Sequence, residues 1–138
     1  MLSQGLGLPE ALRAECERQG RRSRLEIAVE LEPFAAVVGK EAALCLFRVA
    51  QEALNNIGRH ADARSASLTL RPMDDGLLLA VRDDGVGFDP ASPREGRSLG
   101  LASMQERVGL VNGTFDIESA PGWGTEVIAW VPTEESSP

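Results

Sequence analysis

The stretch "VAQEALNNIGRH", Val49 to His60, gathers Glu52, Asn55, Asn56, Arg59 and His60, the only histidine of the chain. One carboxylate and two amide oxygens are hard ligands of the kind Mg²⁺ accepts while it keeps several waters and shares its shell with phosphate oxygens. On a helix, Glu52 and Asn56 stand four residues apart and are surface neighbours, with Asn55 beside them. The solvated side of an ordinary amphipathic helix has the same composition, so the stretch alone leaves both readings open.

A second group lies in "VRDDGVGFD", where an apolar run delivers Asp83 and then breaks into Asp84, Gly85, Val86 and Gly87. A carboxylate at a strand end can accept a hydrogen bond from a ligand, and the glycines let backbone come close to it. Asp-Gly is also a common turn pair, but no strand follows directly. Further on, "SLGLASMQERV" puts Gly100 and Leu101 at a helix start, where free N–H groups and the helix dipole favour phosphate. "GWGT", ending at Thr125, reads by itself as a hairpin turn.

These residues need elements to hold them. "PEALRAECERQ", Pro9 to Gln19, has proline at a first helical position and is followed by Gly20, which predicts a short helix. "RLEIAVEL", Arg24 to Leu31, alternates like a half-buried strand. From Gly39 to Ala61 the period becomes helical, with Leu46, Ala50, Ala53 and Ile57 on one side and Arg48, Glu52, Asn55 and Arg59 on the other. "SASLTLRP" and "GLLLAVRD" predict two antiparallel strands across a turn at Asp75-Gly76. Gly85 to Ser98, rich in glycine and proline, reads as a long functional loop. A helix from Leu99 to Leu110 and the strands "GTFDIESA" and "TEVIAWVP" complete the order, and the tail "TEESSP" reads as disordered.

The ordered combination of Glu-x-x-x-Asn on a long helix, Asp-x-Gly-x-Gly after a strand, Gly-Leu at a helix start and Gly-x-Gly-Thr near the end resembles the GHKL superfamily of ATPases and kinases. Within it, "FRVAQEALNNIGRHA", "DDGVGF" and "GLASMQERV" look most like the ATP-binding domain of sensor histidine kinases that serve NarL-type response regulators. The resemblance implies an α+β fold: a two-layer α/β sandwich of the Bergerat type, with a mixed, mostly antiparallel sheet covered on one face by helices. It implies ATP and Mg²⁺ as cofactors and donation of the γ-phosphoryl group to a histidine on a separate dimerisation domain.

Residue by residue, the resemblance gives Asn56 to the metal and Glu52 a catalytic place beside the metal and γ-phosphate. Asp83 would accept the adenine amino hydrogen, and Thr125 would support it. Gly85 and Gly87 would admit the nucleotide. Asn55, Arg59, His60, Gly100 and Leu101 would complete the nucleotide-binding set, with Arg59 and His60 near phosphates or ribose and Gly100 by the phosphates. Ser98 stands where the family often has the first glycine of its lid, and Trp123 takes a position usually small or basic. Residues 1–23 are expected to be a junction from an upstream dimerisation domain plus a first helix, residues 24–132 the ATP-binding domain, and 133–138 a disordered tail. An anti-sigma-type serine kinase and a nonenzymatic interaction module are the rival readings.

The length of 138 residues suits one domain, and 43% hydrophobic residues suffice for a core. A net charge of −7 argues against a nonspecific nucleic-acid surface. No apolar run is long enough to span a bilayer, and the start has no signal-peptide pattern, so a cytoplasmic place is expected. Cys16 and Cys45 have no metal or disulfide-framework spacing and read as two reduced structural thiols. If dimerisation lies in the upstream domain, this chain is expected to be a monomer.

Overall fold

The computed structural model describes residues 7–134. A helix α1 (Leu8–Ser23) is followed by β1 (Glu26–Leu31), α2 (Lys40–Asn56) and a π-turn (Ile57–Ala61). Then come β2 (Ser65–Met73), β3 (Gly76–Asp83), α3 (Pro93–Ser98), α4 (Leu101–Gly109), β4 (Thr114–Ala120) and β5 (Gly124–Pro132). The five strands form one sheet in the order β1-β2-β3-β5-β4. β1 and β2 pair in parallel, because α2 carries the chain back across the sheet between them, and the other pairs are antiparallel. The expected mixed, mostly antiparallel sheet is therefore present.

Alternation along the strands decides which face is covered. Leu68 and Leu70 of β2, Leu77, Leu79 and Val81 of β3, and Val127, Ala129 and Val131 of β5 are buried on one face. Onto them pack Leu46, Ala50 and Ala53 of α2 and Ile57 of the π-turn, the apolar stripe expected from the helical period, joined by Val49. Leu8, Ala11, Leu12 and Cys16 of α1 join the same core, so this helix packs as part of the domain. Cys16 and Cys45 are buried free thiols, and burial pushes Cys16 up to about 12 and raises Cys45, which makes both poor nucleophiles.

Several boundaries differ from expectation. α1 runs on past Gln19 to Ser23 and ends with Arg24 in the left-handed region, its N–H returning to the Gly20 carbonyl. The long helix is regular only to Asn56 and then widens into the π-turn. Composition cannot distinguish these windings, because they share the same apolar period over one turn. The segment expected as pure loop contains α3, whose sequence PREGRS has no apolar residue to announce it. Of the tail, Thr133 bonds the Asp75 carbonyl and Glu134 pairs with Val37, so the backbone stays bonded for two residues past β5; 135–138 lie outside the described residues, as do 1–6 of the expected junction. Among the described residues no helix is long and apolar enough to cross a membrane.

Candidate functional site

A cavity of about 270 Å³ opens between the end of α2 and the ends of the central strands. Ile57, Val81, Ile117 and Val127 make apolar walls, Phe88 comes from the loop after β3, and Leu99 and Leu101 close over from the start of α4. Asp83, Asn56, His60 and Thr125 are the polar groups that converge on it. Mostly apolar lining with few placed polar groups is the usual make-up of a small-molecule site.

Asp83 is the last residue of the central strand β3, and its register partners are Ala66 of β2 and Thr125 of β5. It points to the helix-covered face with Val81 and is only 5% exposed. Burial pushes its carboxyl above the usual carboxylate range, opposed by the backbone N–H groups of Gly85 and Thr125 and reinforced by neighbouring Asp84. The Gly85 N–H reaches Oδ1 at 2.7 Å. A carboxylate has about four acceptor positions, so two N–H donors leave capacity for a donor in the cavity. Adjacent Asp84 has a different duty: it is exposed and accepts from the N–H groups of Arg64 and Ser65 and the Ser65 hydroxyl, which together lower its pKa.

Across the cavity, Asn56 donates through Nδ2 to the Leu99 carbonyl at 2.8 Å, which fastens the end of α2 to the approach of α4. Its Oδ1 is buried and has no hydrogen-bond partner. A buried acceptor without a donor costs stability, and such an atom suits a ligand that brings a cation or a donor. Among the described residues no group of three or more His, Cys, Asp or Glu side chains could hold a metal by itself. A cation held at Asn56 would therefore need further oxygens from its ligand, as Mg²⁺ commonly takes from phosphates.

Glu52 and Arg59 flank this end. Their charged groups are 3.8 Å apart, both well exposed, which is a loose pair of little energetic weight. Gly100, in the left-handed region at the N-cap of α4, faces Glu52: a side chain begun there would meet the Glu52 carboxylate at 3.8 Å. Gly100 therefore brings bare backbone to the Glu52 side of the cavity. α4 has no side-chain cap, so its first N–H groups lack that partner.

The structure thus brings Asn56, His60, Asp83, Gly87, Leu101 and Thr125 into one cavity and sets Glu52, Arg59, Gly85 and Gly100 beside it. Asn55 is turned elsewhere: its Oδ1 accepts from Gln19 of α1 at 2.7 Å, and it does not line the cavity. The neighbour of Asn56 that also lines the cavity is Ile57, so this stretch turns its Asn56–Ile57 side inward and Asn55 towards α1. Gly87 also differs in its reason. It has φ +68°, and an added Cβ would fall 2.0 Å from the Ala120 carbonyl oxygen, so glycine is demanded by the turn it rests on.

Ser119 of β4 drew no attention in the sequence, yet it organises the cavity's edge. Its hydroxyl accepts the Phe88 N–H at 2.9 Å and donates to the Gly124 carbonyl at 2.7 Å. With its single hydrogen so used, the Thr125 hydroxyl, 2.8 Å away, is the donor between the two. Thr125 accordingly supports Asp83 through its backbone N–H, while its side chain ties to Ser119. Ser119 falls in phase with Phe115 and Ile117 on the half-buried side of β4, so a hydroxyl at an inward position was the one signal that could have found it.

A sequence profile of the "Histidine kinase-, DNA gyrase B-, and HSP90-like ATPase" family matches residues 41–135. The chain is 37% identical over 135 residues to the sensor histidine kinase MctS of Rhizobium johnstonii, which covers 96% of this chain and 29% of MctS. It is 35% identical over 122 residues to the signal transduction histidine-protein kinase/phosphatase UhpB of Salmonella typhimurium, covering 85% of this chain and 23% of UhpB. The chain thus spans less than a third of either relative. Among solved structures, the ATP-binding domain of PrrB from Mycobacterium tuberculosis superposes with a TM-score of 0.76 at 21% identity, covering 94% of this chain and 96% of that one, which shows a shared fold. With the profile match spanning most of the chain and the fold in agreement, the protein belongs to the histidine kinase-, DNA gyrase B- and HSP90-like ATPases.

Proposed function

We propose that this chain binds ATP with Mg²⁺ and presents the γ-phosphoryl group to a histidine on a separate dimerisation domain, in a pathway that ends at a NarL-type response regulator. The observation that carries the reading is a pair of acceptors facing one cavity with bonding capacity to spare, the buried Asp83 carboxylate, which holds two N–H donors, and the buried Asn56 Oδ1, which has none. An adenine amino group is a donor suited to the first and a divalent cation to the second.

Each residue then has a defined part. Asp83 accepts from the adenine amino group while the apolar walls exclude water from the ring. Asn56 would offer its Oδ1 to Mg²⁺, and Glu52 would stand on the side of the metal and γ-phosphate. Arg59 and His60 lie on the π-turn, placed to meet phosphates or ribose, and Gly100 and Leu101 bring the start of α4 over the phosphates. Bound Mg²⁺ would supply charge neutralisation of the phosphates, which in phosphoryl transfer complements positioning of donor and acceptor.

The test is a calorimetric titration of the chain with a nonhydrolysable ATP analogue and Mg²⁺, repeated on Asp83→Ala. Binding by the wild-type chain that disappears in the variant is the expected result. Absence of binding in both would overturn the reading.

A further inference from the structure

Polar side chains buried between α1 and α2 stand out in a region otherwise filled by Leu, Ala and Cys. Gln19 is 2% exposed and Glu15 6%. The Gln19 amide nitrogen donates both to Glu15 at 2.9 Å and to Asn55 at 2.7 Å. Arg18 holds the same Glu15 carboxylate from the solvent side, at 2.6 Å through Nη2 and 3.2 Å through Nε. An apolar side chain of similar volume at position 19 would fill the space without needing these partners, and buried polar groups of this kind are weak evidence of stabilisation. What they supply is direction, because a hydrogen bond fixes one helix against the other in register and rotation.

The place that is fixed matters. α2 loses its regular winding directly after Asn56, and the following π-turn carries Arg59 and His60. Loss of the α-helical pattern at that point leaves the rotation of the last turn less determined by the helix itself. Two contacts from α1 bracket Asn56: the Gln19–Asn55 bond on the preceding residue, and the close approach of Ser23 to Gly58, where an added Cβ would lie 2.5 Å from the Ser23 hydroxyl.

We infer that Gln19 is a positioning residue for the nucleotide site, acting through Asn55 to hold the final turn of α2 so that Asn56 Oδ1 faces the cavity. The inference rests on the reading that Asn56 serves Mg²⁺-bound nucleotide. It gives Asn55 a role distinct from ligand contact, and it makes α1 part of the site's support.

The test uses the full chain in calorimetric titrations with a nonhydrolysable ATP analogue, with Mg²⁺ and with a chelator, and with adenosine as a probe of the base pocket alone. Gln19→Leu and Asn55→Ala are each expected to weaken Mg²⁺-dependent binding about fivefold, the scale of one hydrogen bond, and to leave adenosine affinity unchanged. The double variant should match either single one, because the two residues act as a unit. Asn55→Asp, which keeps an oxygen for Gln19 to bond, should bind nearly as the wild type.

A folded Gln19→Leu variant whose affinities with and without Mg²⁺ equal those of the wild type overturns the role, even if its melting temperature falls. Additive losses in the double variant also overturn it. If Gln19→Leu does not fold, half-buried Asn55→Ala decides by the same comparison. A wild-type chain that binds no nucleotide overturns the functional reading and this inference together. Wild-type binding that Asp83→Ala abolishes and Gln19→Leu leaves intact overturns this inference alone.

Discussion

Asp83 is a carboxylate that the fold buries at a cost, whatever the cavity takes up. Its folded pKa is raised, so between the ordinary carboxylate value of about 4 and that raised value the folded chain holds more protons than the unfolded one. Stability contributed by its neutral form is present at low pH and is lost as pH rises through the folded pKa. Asp83→Asn removes this loss while keeping an oxygen to accept the Gly85 N–H. The difference in melting temperature between variant and wild type is expected to move in the variant's favour from pH 4 to pH 7, measured without nucleotide. A constant difference across that range would contradict the assignment of the pH dependence to Asp83. The sequence singled out this carboxylate because a strand ending in Asp-Asp-Gly has no second strand directly after it, and the structure puts Asp83 in the cavity. It could not say which asparagine faces the cavity, because adjacent residues on a helix differ in direction by an angle that only the packing of α1 resolves.

At the scale of elements, the loop after β3 is held by its contacts with the β4–β5 turn. The Gly122 N–H donates to the Val86 carbonyl, the Phe88 N–H reaches Ser119, and Gly87 rests on the Ala120 carbonyl. Two glycines with positive φ separate conformational from contact effects here. At Gly122, φ is +80° and an added Cβ meets nothing within 4 Å, so Gly122→Ala is expected to cost only the left-handed penalty of about 1 kcal/mol. At Gly87 the Cβ would meet backbone that cannot rotate away, and Gly87→Ala should cost about 2–4 kcal/mol with loss of nucleotide binding. Urea denaturation of both variants checks this, and equal losses would show that the contact with Ala120 is unimportant. The succession of elements along the chain, the antiparallel hairpins and the buried face of α2 were legible because each has a period of its own, whereas the order of strands in the sheet was not. The π-turn and α3 were not, since the first shares its residue pattern with an α-helix and the second has no apolar side to show.

Over the whole molecule, the helices cover one face of the sheet and the cavity opens at the end where β3 and α2 finish. Phosphoryl transfer needs the acceptor roughly in line with the γ-phosphate and the leaving oxygen. The chain's only histidine, His60, lies in the cavity wall on the turn that follows Asn56, so it is carried by the same segment that would hold the metal. A group fixed beside the phosphates by the binding machinery cannot also approach them freely from the far side. The chain incubated alone with Mg²⁺ and radiolabelled ATP is therefore expected to bind nucleotide and accumulate no acid-labile, base-stable phosphate. His60→Gln separates the alternatives: label that appears on the wild-type chain and disappears in this variant would make His60 an acceptor and overturn the proposal that the acceptor histidine belongs to another domain. If the wild-type chain stays unlabelled while the calorimetric titration shows binding, the fold supplies the nucleotide half of the reaction. The acceptor, on the proposed reading, would then supply the other half from a separate domain.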